Sequence, residues 1–261
     1  MIIEYIQNAP YYSPGMLAIL IGVGFFVGFI NTIAGMATAL SYGLFMAMGL
    51  PINIANGTTR VGVLAQFAVT SFIFKKKGFL NISTAAKVGI PVGLGSLSGA
   101  QLAATLNPNV IETIMGILLP IMAILLFIKP KTSKIEETLE KQKMNWWKAI
   151  IFFFIGVYGG FTHAGVGLLI IFGSCFMLGL DMIKSNAIKQ FAVLIYTPIA
   201  LFVFIYHGQV NWPIALIYSI GNIAGGIAGS YASIKGGENF IKVSVATVIF
   251  IMSFWLLYKN I

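Results

Sequence analysis

The residues from Thr32 to Ala103 recur, without a gap, 130 positions further along the chain. Gly35 falls on Gly165, Gly43 on Gly173, Gly49-Leu50 on Gly179-Leu180 and Asn56 on Asn186. Phe72 falls on Phe202, Phe74 on Phe204, Gly78 on Gly208, Asn81 on Asn211, Gly95 on Gly225 and Gly99 on Gly229. Chance does not place so many glycines in one register, so the chain is built as two copies of one plan.

The medium those copies fold in follows from composition. Of 261 residues, 58% are hydrophobic and only 9% charged, and mean hydropathy is +0.93. A water-soluble globule of this size is excluded, and the class is an all-α polytopic membrane protein. Apolar segments run from Met16 to Ala34, Met36 to Gly49, Ile54 to Phe74, Ser83 to Leu106 and Val110 to Ile128. Their equivalents run from Trp147 to Ala164, Val166 to Leu180, Asn186 to Tyr206, Trp212 to Ile234 and Phe240 to Tyr258. Most approach the ~20 residues of a spanning helix. The second of each set has only 14 or 15 and follows a glycine-containing break, which marks it as short or re-entrant. Five segments per copy is an odd number, so the second copy enters the membrane in the opposite sense. Two inverted repeats of this kind are the architecture of secondary transporters, with the substrate site where the copies meet.

The predicted organisation is an external N-terminal segment over 1–15, a first repeat over 16–128, a linker over 129–146 and a second repeat over 147–261. The net charge of +9 encodes orientation. With the N-terminus outside, Lys75, Lys76, Lys77, Lys87, Lys148, Lys184, Lys235, Lys242 and the lysines of the linker all fall on the cytoplasmic side. The positive-inside bias therefore puts both termini outside and the linker inside. Within the linker, Ser133 and Glu136 have capping-box spacing, and Trp146-Trp147 at its end suit the headgroup region. The N-terminus has no basic region and carries Glu4, against a cleaved signal peptide. Cys175, the single cysteine, reads as a small packed hydrophobe. The fourth segment of each copy is rich in small residues, Gly89, Gly93, Gly95, Ser98 and Gly99 against Gly221, Gly225, Gly226 and Gly229, a spacing that lets helix backbones approach.

Polar residues cluster between the second and third segments of each copy, over Pro51–Arg60 and Asp181–Gln190. Asn56 and Asn186 share a register, and a cation follows each, Arg60 four residues on and Lys189 three residues on. Read as two helix N-termini, one from each membrane face, these stretches would bring free amides, an asparagine and a cation to an oxyanion. Asn56, Thr58, Thr59, Arg60, Asn186, Lys189 and Gln190 are the candidate substrate-binding residues, joined by His163 in the break Tyr158–Gly165. The structural reading is that both asparagines cap helices and both cations snorkel to opposite interfaces.

No Asp or Glu lies inside an apolar segment, so the carboxylate usual in proton- or sodium-coupled carriers is missing and a cation substrate is disfavoured. No H-E-x-x-H, G-x-S-x-G, paired carboxylates or Cys/His cluster occurs, so neither an enzyme nor a metal or other cofactor is expected. The expected partners are a small anion and the lipid bilayer, with a homo-oligomer compatible and nucleic acid not expected. A passive channel or structural membrane subunit is the competing reading.

In order and spacing, Ala34-Gly35, Gly49-Leu50-Pro51, Ala55-Asn56-Gly57-Thr58, Gly159-Gly160, Ala164-Gly165-Val166-Gly167, Gly179-Leu180-Asp181, Asn186-Ala187-Ile188-Lys189 and Gly208-Gln209-Val210-Asn211-Trp212 resemble the sulfite exporter TauE/SafE family. The likeness spans about Gly22 to Tyr258. It implies a multi-pass permease of a prokaryotic plasma membrane for small sulfur-containing or organosulfonate anions, usually an exporter. One departure is Gly35-Met36-Ala37-Thr38, where the family often has further glycines.

Overall fold

A computed structural model of the chain describes residues 6–7, 9–125 and 144–259. All regular structure among them is helical: α1 (Pro14–Ile33), α2 (Thr38–Ala47), α3 (Ile52–Lys76), α4 (Ile82–Thr105), α5 (Pro108–Leu125), α6 (Trp146–Phe161), α7 (Val166–Leu178), α8 (Met182–Tyr206) and α9 (Trp212–Lys259). The Ser133–Glu136 pair falls outside the described residues.

Local chemistry accounts for the boundaries. The Ser13 hydroxyl accepts from the Met16 amide with Pro14 opening α1, and Asn81, Asn145 and Asp181 cap α4, α6 and α8 in the same way. Glycines in the left-handed region interrupt or end the helices at 35, 49 and 78, and again at 165, 179 and 208, three pairs each 130 residues apart. Only glycine adopts this conformation without a steric penalty, so the repeated glycines repeat the turns. Gly237, at φ 69° and ψ −164°, breaks α9, and no glycine partners it in the first copy, where Asn107 stands.

The polar stretches differ from the sequence expectation. α3 starts at Ile52 behind Pro51, and α8 at Met182 behind the Asp181 cap. Asn56 and Asn186 thus lie inside helices and cap nothing, because proline and aspartate upstream are the stronger starts. Arg60 and Lys189 follow them about two turns inside the helices, and both are fully buried, so neither snorkels.

By length and composition, Pro14–Ile33, Met182–Tyr206 and Trp212–Ile241 are able to cross a membrane. α3 and α4, of 25 and 24 residues, are as long but carry more polar side chains. α2 and α7, with 10 and 13 residues, extend only about 15 and 20 Å, short of the ~30 Å hydrocarbon core.

Packing interlocks the two copies. α4 lies on α6, where a Cβ on Gly95 or Gly99 would stand 2.0 or 1.9 Å from the Phe153 or Val157 carbonyl oxygen. α9 lies on α1 in the same manner, through Gly221 and Gly225 against the Ile21 and Phe25 carbonyls. Gly95, Gly99, Gly221, Gly225 and Gly229 of the small-residue stripes therefore meet helix backbones, whereas Gly89 and Gly93 face chiefly side chains of α8, Gly226 faces side chains of α3, and Ser98 is exposed. α3 and α8 cross between these pairs. Thr70 meets Gln190 at 3.0 Å and the Arg60 guanidinium lies 4.9 Å from the Phe204 ring centre, so the two equivalent helices run antiparallel. At the centre, a Cβ on Gly35 would be 2.7 Å from the Gly167 Cα, so the α1–α2 and α6–α7 breaks touch.

Candidate functional site

Each break exposes the end of a helix, whose last carbonyls have no partner within the helix and carry partial negative charge. At the end of α6 the Tyr158 carbonyl accepts from the Thr162 amide. The next three are met from α3: the Arg60 Nη2 donates to Gly160 at 2.6 Å and Gly159 at 3.2 Å, and the Asn56 amide donates to Phe161 at 2.8 Å. Arg60 Nε bonds the Asn56 Oδ1 at 3.2 Å, and the Tyr42 hydroxyl donates to that oxygen at 3.1 Å. Tyr42 in turn accepts from the His163 backbone N–H at 3.1 Å. α2, α3 and the second break are thereby tied together.

The end of α1 has the matching arrangement, built from α8. Lys189 Nζ donates to the Asn31 and Thr32 carbonyls, each at 2.8 Å, and the Gln190 amide donates to Thr32 at 2.9 Å and to Asn186 Oδ1 at 3.1 Å. Gln66 of α3 adds bonds to the Gly28 carbonyl and the Thr32 hydroxyl at 3.1 and 2.8 Å. A cation at the C-terminal end of a helix is favoured by its dipole. Here each cation comes from the opposite copy.

The structure brings Asn56, Arg60 and His163 to one break and Asn186, Lys189 and Gln190 to the other. Phe67 links them: the Lys189 Nζ lies 5.8 Å from its ring centre and the His163 ring 6.2 Å. The His163 Nδ1 pairs with the Tyr196 hydroxyl. Thr58 and Thr59 are engaged elsewhere, Thr58 accepting from the Asn211 amide at 2.9 Å and Thr59 donating to the Ala55 carbonyl at 2.8 Å. Sequence reasoning missed Tyr42, Gln66, Tyr196 and Asn31, the last bracing its break by accepting from the Ala37 amide at 2.7 Å and donating to the Thr38 hydroxyl at 2.9 Å. Their one signal is polarity inside apolar runs.

The electrostatics are one-sided. Arg60 and Lys189 are each 0% exposed, and no carboxylate among the described residues lies within ion-pair distance of either. Burying such a cation costs several kcal/mol, which the helix-end carbonyl dipoles act against. Among the side chains that meet the two helix ends, the Arg60 Nη1 and Asn186 Nδ2 donors and the Gln66 Oε1 acceptor are buried without a partner. The site can therefore accept negative charge and oxygen lone pairs.

Comparison with known proteins finds membrane transporters. The chain is 24% identical over 247 residues to a probable membrane transporter protein of Haemophilus influenzae, covering 94% of this chain and 96% of the relative. It is 24% identical over 239 residues to the probable membrane transporter protein ORF9 of a Sinorhizobium species, covering 90% and 91%. It is 25% identical over 250 residues to the probable membrane transporter protein YfcA of Escherichia coli K12, covering 95% and 92%. No solved structure matches the chain. The family model described as Sulfite exporter TauE/SafE matches residues 20–256, and the chain belongs to that family.

Proposed function

We propose that this membrane transporter carries small oxyanions, sulfur-containing or organosulfonate, outward across a prokaryotic plasma membrane by alternating access between two inverted halves. The observation that carries the reading is the pair of fully buried cations, Arg60 and Lys189, without a carboxylate partner among the described residues. An anion entering between the breaks lowers the energy of both and meets the free Arg60 and Asn186 donors. The relatives' names support membrane transport, and the family description supports a sulfur oxyanion as the cargo. Inversion is supported by the paired left-handed glycines and by the antiparallel crossing of α3 and α8. Helices α2 and α7, too short to cross, fit re-entrant elements that return to the side they came from. The lysine-rich ends of α3 and α8 mark the cytoplasmic face.

Counterflow tests this. Proteoliposomes loaded with unlabelled sulfite should take up external labelled sulfite transiently above equilibrium, with saturation and competition by sulfoacetate. Linear, unsaturable flux without counterflow would indicate a channel instead, and absence of any anion flux would refute transport of this class.

A further inference from the structure

The two ends of the molecule are built from equivalent residues but are not equally closed. At the lysine-rich end, the loop 77–81 and the start of α8 border a cavity of about 550 Å³, lined by Asn81, Thr84, Lys87, Leu178, Lys184 and Ile188 among others. Ile188 precedes the buried Lys189, so the cavity reaches the residue next to the candidate site. At the other end, the equivalent loop 207–211 is seated on α3. A Cβ on Gly57 would stand 2.1 Å from the Gln209 carbonyl oxygen, the Thr58 hydroxyl accepts from the Asn211 amide at 2.9 Å, and the Gln209 side chain donates to the Ala104 carbonyl at 2.8 Å.

The residues 130 positions away explain why the first end lacks this closure. Ala187 stands where Gly57 would be, with a Cβ that bars so close an approach, and Ile188 replaces Thr58, with no hydroxyl to accept from Asn81. Phe79 replaces Gln209 and has no amide to donate. One end is latched by a glycine, a hydroxyl and an amide; the other has only apolar packing, Phe79 and Leu80 sharing a hydrophobic cluster with Ala187 and Ile188.

We infer that the cavity is the vestibule through which a small oxyanion is loaded from the lysine-rich face, and that the Gly57–Gln209 and Thr58–Asn211 contacts are the latch that keeps the opposite gate shut. This rests on the alternating-access reading above. Lys87 at the cavity wall leaves its lining net positive, the Lys184 charge being balanced by Asp181 at 2.7 Å, and this favours anions at the mouth. An exporter that rests with its cytoplasmic side open is ready to load. The opposite conformation opens an equivalent cavity beside Ile214, the counterpart of Thr84.

The test uses the full chain with Cys175→Ser as background and single cysteines at Thr84 or Ile214, labelled by an impermeant thiol reagent from each face of oriented vesicles. In the background, Thr84→Cys should label from the lysine-rich face and Ile214→Cys should be protected from the other. Adding Thr58→Val removes one hydrogen bond and should raise Ile214→Cys labelling about two- to ten-fold, with a fall at Thr84→Cys. Gly57→Ala should act in the same direction, whereas Thr58→Ser keeps the hydroxyl and should leave labelling unchanged. Equal Ile214→Cys labelling in the background and in both latch variants overturns the latch, as does protection of Thr84→Cys from the lysine-rich face for the vestibule. Adding sulfite separates the two levels. A latch that responds to Thr58→Val while labelling ignores sulfite and sulfoacetate would stand, and the anion reading would fall.

Discussion

The Arg60 guanidinium bonds the Gly160 carbonyl at 2.6 Å, joining a helix of the first copy to the broken end of a helix in the second. Lys189 makes the reciprocal connection to Thr32 at 2.8 Å. Each cation meets the carbonyls of a helix end inside an apolar core, and in the proposed function it also serves an anionic ligand. Substitutions should separate these tasks.

Arg60→Gln and Lys189→Gln should each weaken anion binding by about 1.5 to 3 kcal/mol, the worth of a hydrogen bond to a charged group. Arg60→Lys retains the charge but loses the forked donor that meets two carbonyls and leaves Nη1 free, so it should recover stability more than affinity. Titration calorimetry in detergent, read beside the melting temperature, checks this; unchanged affinity in both glutamine variants would remove the cations from the site.

Gly95→Ala and Gly99→Ala should destabilise the protein by at least about 1 to 3 kcal/mol, because α4 must back away from the α6 carbonyls. Gly43→Ala, in α2 with nothing within 4 Å of the added carbon, should be neutral or stabilising by about 0.5 to 1 kcal/mol. Melting curves of the three variants would show the contrast, and similar shifts for all would mean that the helix contact is not as close as described.

The same measurement distinguishes two left-handed glycines. Gly35→Ala meets both a φ of +78° and the Gly167 backbone, whereas Gly49→Ala meets a φ of +86° with open space around it. Gly49→Ala should lose about 1 to 2 kcal/mol, the left-handed penalty alone, and Gly35→Ala clearly more. Equal losses would contradict contact between the breaks.

These contrasts show what was legible in the sequence. The repeat registered every turn for which both copies use glycine, so Gly35/Gly165, Gly49/Gly179 and Gly78/Gly208 marked the same points of the fold. The stripes around Gly95 and Gly225 marked the helix contacts. The cations were identified because each follows an asparagine at the shared register, but their partners were not. Backbone carbonyls at a helix end carry no residue signature, and Gly159 and Gly160 were legible only as part of a break and of the family pattern. The helix starts were misplaced because an asparagine before an apolar run resembles a cap, while Pro51 and Asp181 already held that role. Thr58 looked like a ligand because its partner, the Asn211 amide, is 153 residues away.

Orientation gives a further outcome. In the Cys175→Ser background, cysteines at exposed Gln7 and Tyr206 should react with an impermeant thiol reagent on intact cells, and those at exposed Lys77 and Lys235 should not. The reverse pattern would turn the molecule over and exchange the faces assigned to the vestibule and the latch.

The central claim is that two buried, carboxylate-free cations serve an anion, and potential-driven flux tests it most directly. An inside-negative potential drives a monoanion outward with about 2.3 kcal/mol per 100 mV, a gradient of nearly fifty-fold, so export needs no coupling carboxylate. In proteoliposomes under a potassium-diffusion potential, labelled sulfite or sulfonate flux should follow the sign and size of the potential, respond little to sodium, persist in His163→Ala and fall at least ten-fold in Arg60→Gln (~1.4 kcal/mol). Anion accumulation driven instead by an imposed proton gradient, abolished by His163→Ala and indifferent to Arg60→Gln, would contradict the account.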